Sequence, residues 1–184
     1  MSVMRVTLST GLMAILLGAQ VASAAPADHS DRLLLLLNLI DQVPDRAALL
    51  EAGADDAGEA LTRIARDEAL PRYPRMRAAG LLALFPSREG KARLAALVDD
   101  PAVNDREVRI QGLAALVHLE GPAAFERLAA FARDPDPKLR AAALRNLSRI
   151  EHPQKQALLQ ARLAEDGEQE PWIRDLATRA LTSR

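Results

Sequence analysis

The chain contains no cysteine among its 184 residues. That excludes disulfides, thiolate metal sites, a cysteine nucleophile and a lipid-modified N-terminal Cys. Aromatic residues are scarce: one Trp, one Tyr and three Phe. Strands favour aromatic and β-branched residues, so a chain dominated by alanine, leucine and arginine points to helices. The formal net charge is only −1, and no global field draws the chain to nucleic acid. Histidine is limited to His29, His118 and His152, which are isolated and never at the i, i+4 spacing of a helical metal pair. No Gly-rich phosphate loop, nucleophile elbow or HExxH occurs. The acidic pairs Asp55-Asp56 and Asp99-Asp100 fall in turns, where capping accounts for them. The expectation is therefore a non-enzyme with no cofactor and no metal.

Long apolar runs are missing too, except at the N-terminus. Arg5 supplies a positive flank, Leu12 to Leu17 an apolar centre within Val6 to Ala22, and Ala22-Ser23-Ala24 a small-x-small cleavage pattern. Residues 1–24 read as an export signal cut after Ala24, which predicts a periplasmic or secreted protein; an uncleaved membrane anchor is the alternative reading of the same segment. Residues 25–30 read as a flexible leader and 31–184 as one domain, with Asp31 as an N-cap before Leu33. The other strongly apolar run, Leu33 to Ile40, is too short to cross a bilayer.

What the sequence does have is a phrase that returns four times. It reads Met76-Arg77-Ala78-Ala79-Gly80-Leu81-Leu82-Ala83-Leu84, then Val108-Arg109-Ile110-Gln111-Gly112-Leu113-Ala114-Ala115-Leu116. It recurs from Leu139-Arg140 to Leu147 and from Ile173-Arg174 to Leu181. The arginines lie 32, 31 and 34 residues apart, a period that marks stacked repeats. Between the phrases lie further helical segments, Ala57 to Glu68, Gly90 to Val98, Pro122 to Arg133 and Pro153 to Ala164, with apolar residues at helical spacing. Turn chemistry at Asp99-Asp100-Pro101 and Asp134-Pro135-Asp136-Pro137 separates the two helices of a unit. A divergent earlier copy begins at Arg46, with Asp45 where an apolar residue stands elsewhere. The fold class expected is all-α, an α-solenoid of four to five antiparallel helix pairs.

Wound into a helix, the phrase places the residue before the arginine and those at plus three, four and seven in one stripe about 140° wide. The small residues Gly80, Gly112, Ala143 and Ala177 at plus three permit close helix approach. The arginine falls inside the stripe, and a charge on the buried side must find carboxylates or carbonyls. Arg77, Arg109, Arg140 and Arg174 are thus expected to form a structural ladder. Asp134 and Glu168, each six residues before its arginine, are the expected partners of Arg140 and Arg174. The alternative is an anion-binding row.

The phrase, and above all Asp134-Pro135-Asp136-Pro137-Lys138-Leu139-Arg140-Ala141-Ala142-Ala143-Leu144, resembles the second helix of HEAT repeats in the short form named after phycobilisome lyases. The likeness covers residues 57–184 well and 32–56 weakly. Pro71 and Val103 depart from it where a turn acid would stand, and Asp67, Asp99 and Asp100 occupy the longer turns there. The resemblance implies a HEAT-like superhelix that scaffolds protein–protein contacts. A lyase-type enzyme subunit is the alternative it raises.

Positions minus two, two, five and nine point away from the stripe. They nominate a partner-binding surface of Arg75, Leu82, His118, Lys138, Arg145, Arg149, Trp172 and Arg179, with Arg and Trp common at interface hot spots. The second-helix segments 72–84, 104–119, 137–150 and 170–184 carry formal charges of +3, 0, +4 and +1, while the rest of the chain is acidic. The expected partner is another protein with an acidic surface. An envelope component that binds anionic polymer or lipid headgroups is a further alternative. Arginine's helix propensity and the acids' place in caps give the same charge sorting without a partner.

Overall fold

The computed structural model describes residues 29–53, 56–164 and 167–182. The expected export segment, most of the leader, Asp55 and Ser183 lie outside the described residues. Ten α-helices occur among the described residues: α1 (His29–Asn38), α2 (Arg46–Gly53), α3 (Ala57–Arg66), α4 (Arg72–Leu81), α5 (Arg88–Asp99), α6 (Arg106–Glu120), α7 (Phe125–Phe131), α8 (Pro137–Leu147), α9 (Lys155–Leu163) and α10 (Pro171–Thr182). Among those residues there are no strands. The helices pair as hairpins, and the molecule is an α-solenoid of five pairs.

Within four pairs the first helix packs on the second: α3 on α4, α5 on α6, α7 on α8, α9 on α10. The second helices also stack on one another, α4 on α6, α6 on α8 and α8 on α10. Each second helix therefore needs apolar or small residues on more than one side. Ala79 and Ala142 at plus two are buried for that reason, although a single-stripe wheel turns them to solvent.

The helix boundaries follow local chemistry. Asp56, Ser87, Asp105 and Asp136 cap α3, α5, α6 and α8, each side chain accepting a main-chain N–H of the first turn. Pro137 follows Asp136 at the first helical position, where its missing N–H costs nothing. In the last four pairs the turn after the first helix is closed by an acid that accepts the N–H two residues on: Asp67 from Ala69, Asp100 from Ala102, Asp134 from Asp136, Glu168 from Glu170. Asp31 does not cap α1. That helix starts at His29, and Asp31 lies in its first turn. Before α7 the chain makes a 3-10 turn at Gly121–Ala124, led by Gly121 at φ 56° and Pro122. His152 stacks on Phe125 at 3.8 Å between ring centroids and ties the last pair to the one before it.

The N-terminal pair departs from the others. α1, with five consecutive leucines, packs beside α4 in the second-helix layer, while α2 packs on α3. The Arg46 copy consequently lies in the first-helix layer. Its arginine is exposed and stacks over the Phe85 ring at 5.7 Å. The core runs the length of the stack in two clusters that meet at α5 and α6, where Leu94 and Leu97 face one way and Val98 and Val117 the other.

Candidate functional site

The repeated arginines are held by main-chain carbonyls. Arg109 donates from Nε to the Val98 carbonyl at 3.0 Å and lies over the Phe131 ring at 5.2 Å. Arg174 donates to the Leu163 and Glu168 carbonyls at 2.8 and 3.0 Å. Arg140 donates to the Asp134 and Pro135 carbonyls, both at 3.0 Å. These acceptors lie at the frayed end of the first helix or in the turn after it, where carbonyls have no partner within a helix. Arg77 differs. It reaches back to the carbonyls of Leu39 and Gln42 and to the Tyr73 hydroxyl, clamping the α1–α2 connection.

In α4 the place of Arg109 is taken by Arg75. Its Nε donates to the Ala65 carbonyl at the end of α3, and its Nη1 lies 3.3 Å from Asp105. Arg75 is only 6 % exposed and so cannot belong to a partner surface. Arg75 stands four residues after the N-cap Pro71, as Arg109 does after Asp105 and Arg140 after Asp136, so the start of α4 moves the buried arginine two residues back from Arg77. Leu82 is also excluded, at 0 % exposure, because α4 tightens into a 3-10 turn over Leu82–Leu84 that rotates this side chain into the core.

The carboxylates reach across units, which the six-residue spacing within a unit did not anticipate. Asp134 accepts Arg140 through its main-chain carbonyl, not its carboxylate, which closes the turn. Glu168 likewise meets Arg174 through its carbonyl. Its carboxylate instead takes both Nε and Nη2 of Arg140 from the preceding unit, at 2.7 and 2.9 Å. It also accepts Arg162 Nη2 at 3.1 Å and the Glu170 N–H at 3.1 Å. Asp105 accepts Arg72 as well as Arg75, and Asp136 lies 3.4 Å from Arg106. The first-helix layer repeats the device with Arg66–Asp100, Arg93–Asp56 and Arg127–Asp99. Arg72, Arg106, Asp105 and Asp136 were not singled out in the sequence, although the paired 31- and 34-residue spacings of these caps and arginines are a signal that could have found them.

Glu168 is the most constrained of these groups, with a side chain only 1 % exposed. Burial by itself raises a carboxyl pKa. Here the hydrogen bonds from Arg140, the Glu170 N–H and Arg162 overcome burial and hold Glu168 down at about 2, against an ordinary 4.5. The same contact with Glu168 raises the Arg140 pKa. Asp100 is lowered by the Ala102 N–H first and by Arg66 second.

Once these pairings are made, little free charge is left on the second-helix layer. Arg72, Arg75 and Arg106 face carboxylates, and Arg77, Arg109 and Arg174 face carbonyls. Arg145 in α8 and Arg149 just after it are exposed, and neither side chain has a hydrogen-bond or ion-pair partner among the described residues. His118 is exposed in the last turn of α6. Lys138 makes a loose 3.7 Å pair with Glu107. Arg179 is exposed in α10, with Nε 3.3 Å from the Asp175 carbonyl, and Trp172 is 42 % exposed in the first turn of that helix. The structure thus leaves His118, Lys138, Arg145, Arg149, Trp172 and Arg179 accessible. Arg145 and Arg179 hold the same repeat position on the packed helices α8 and α10.

Among the described residues no group of three or more His, Asp or Glu could hold a metal ion, and no helix is long and apolar enough to cross a membrane. No curated protein matches the chain. Residues 103–182, which span the turn before α6 through α10, match the family model of HEAT repeats.

Proposed function

We propose that this protein is an exported, non-enzymatic scaffold that captures an acidic protein partner on its second-helix layer, centred on Arg145 and Arg149. HEAT repeats generally serve as scaffolds for protein–protein contacts. The observation that carries the reading is the inequality among the arginines. Those at the repeat positions are engaged by carbonyls and carboxylates, whereas Arg145 and Arg149 stand exposed and unpaired one turn apart. Unpaired guanidinium groups keep their capacity for bidentate contact with carboxylates, and a basic patch accelerates encounter with an acidic partner. Export rests on Arg5, the apolar centre Leu12 to Leu17 and the Ala22-Ser23-Ala24 pattern.

The test is capture from the exported protein fraction by immobilised wild-type chain and by the Arg145→Glu, Arg149→Glu double variant. Both positions are exposed, so helicity and melting temperature should be unchanged. Loss of the captured species in the variant, and in the wild type at high salt, is the expected result. Equal capture by both proteins would remove the second-helix layer as the site. The first residue of the exported protein, read by N-terminal sequencing, should be Ala25.

A further inference from the structure

Exposed large apolar side chains are not spread evenly over this molecule. Of the seven among the described residues, five fall in the N-terminal hairpin: Leu35 at 69 %, Leu39 at 42 %, Ile40 at 83 %, Val43 at 79 % and Leu50 at 37 %. Isolated apolar residues on a surface are ordinary, but a cluster on one element marks a contact site. The opposite end of the stack is different. There Gln156, Gln160, Asp175, Thr178, Arg179 and Thr182 are exposed, and Trp172 is the one large apolar side chain exposed among the described residues of that unit. A polar last unit is what ends a solenoid in water, whereas an apolar first unit presents a face that would normally be covered by another unit.

Of the five exposed apolar residues of the N-terminal hairpin, Leu35 lines a groove between α1 and α2 together with Leu36, Ala48 and Ala52, while Leu50 borders a separate depression beside Arg46 and Phe85. Arg32 stands on the α1 rim and Glu51 on the α2 rim. Neither has an ion-pair or hydrogen-bond partner for its side chain among the described residues. Because α1 begins where its antiparallel partner α2 ends, the two charges sit at the same end of the groove. That arrangement is self-complementary. A twofold axis running along the groove turns one hairpin onto another so that Arg32 faces the partner subunit's Glu51. The symmetric ion pair forms at the same time, and the apolar residues of the two grooves close on each other. A head-to-tail contact would instead place this apolar groove against a last unit whose exposed side chains are mostly polar.

We propose that the groove between α1 and α2 is an isologous interface through which two copies of this chain dimerise by their N-terminal units. The apolar groove supplies the association energy and the Arg32–Glu51 pairs fix its orientation. Two solenoids would then extend in opposite directions from a shared centre, each keeping its Arg145 and Arg149 accessible. The dimer does not depend on the acidic-partner reading, and either can fail alone.

The experiment is sedimentation equilibrium on the full chain, produced without detergent and with its intact mass recorded, over a dilution series. The expected result for the wild type is a reversible dimer. Leu35→Glu should give a monomer, with circular dichroism and melting unchanged because Leu35 is not part of the core. Arg32→Glu and Glu51→Arg should each weaken dimerisation about tenfold or more, since each sets like charges face to face, and the double reversal should restore it to within about threefold. A wild-type chain that stays monomeric at every concentration overturns the proposal, whether its own N-terminal segment or nothing covers the groove. A dimer indifferent to Leu35→Glu overturns it as well, and so does a double reversal no better than the single ones.

Discussion

Replacing Glu168 by Gln keeps the shape of the side chain and removes its charge. In the native protein the two carboxylate oxygens accept four hydrogen bonds, from Arg140 twice, from Arg162 and from the Glu170 N–H. Gln offers one acceptor oxygen and turns an NH2 group toward guanidinium donors, so both arginines lose their counter-charge in a site that water hardly reaches. The folded-state pKa of about 2 against the ordinary 4.5 sets the magnitude. At about 1.4 kcal/mol per unit, this carboxylate contributes about 3 kcal/mol to stability at neutral pH. The pKa is depressed on folding, so the contribution is complete above the ordinary carboxyl value and is lost as pH falls toward 2. At pH 3.5 roughly 2 kcal/mol should remain. Urea titrations of wild type and Glu168→Gln at pH 7 and pH 3.5 measure both quantities. Trp172, the single Trp of the chain, lies four residues away and reports the last helix pair directly, while circular dichroism reports the whole stack. Because each unit touches only its neighbours, the tryptophan transition should move to lower urea than the circular dichroism transition. A difference below about 1 kcal/mol at pH 7, or one unchanged at pH 3.5, would refute the assignment.

Four further outcomes follow from the same geometry. Arg75→Ala should cost about 1 to 2 kcal/mol, since the Ala65 carbonyl loses its donor and the Asp105 carboxylate loses its buried arginine and keeps only Arg72 and the Glu107 N–H, while Arg145→Ala should stay within about 0.5 kcal/mol; thermal melts of the two variants decide. Gly112→Ala should destabilise by about 1 to 2 kcal/mol, because the added Cβ would sit 2.9 Å from Val98 Cγ2. Gly80→Ala should stabilise by about 0.5 to 1 kcal/mol in urea titrations, since its added Cβ meets only Gln111 Oε1 at 3.8 Å. His152→Ala should remove the stack on Phe125 and lower stability by about 1 kcal/mol, read in the same titrations.

The contrast between Gly80 and Gly112 shows where a repeat phrase stops being informative. Both occupy plus three, and the wheel assigns both to close helix approach. Only Gly112 needs it, because α6 presses on α5 at Val98 while α4 leaves room beside Gly80. Arg75 and Arg77 show the same limit. The phrase selects Arg77 as the equivalent of Arg109, and the start of α4 two residues earlier relative to the phrase gives that position's role to Arg75 instead.

The sequence by itself determined the helices, their pairing and the period of the stack. Those depend on apolar spacing, caps and turn residues within about fifteen positions of one another, and such local rules act before any unit meets its neighbour. Only the tertiary structure decided which arginine is buried and which is free. The carboxylates of Glu168, Asp105 and Asp136 bind arginines 28 to 33 residues away, in the preceding unit, and those distances are set by how second helices stack. The placement of α1 beside α4 belongs to the same class. A run of leucines is apolar on more than one side, so its sequence does not choose between the two layers, and the packing surface offered by α3 and α4 does.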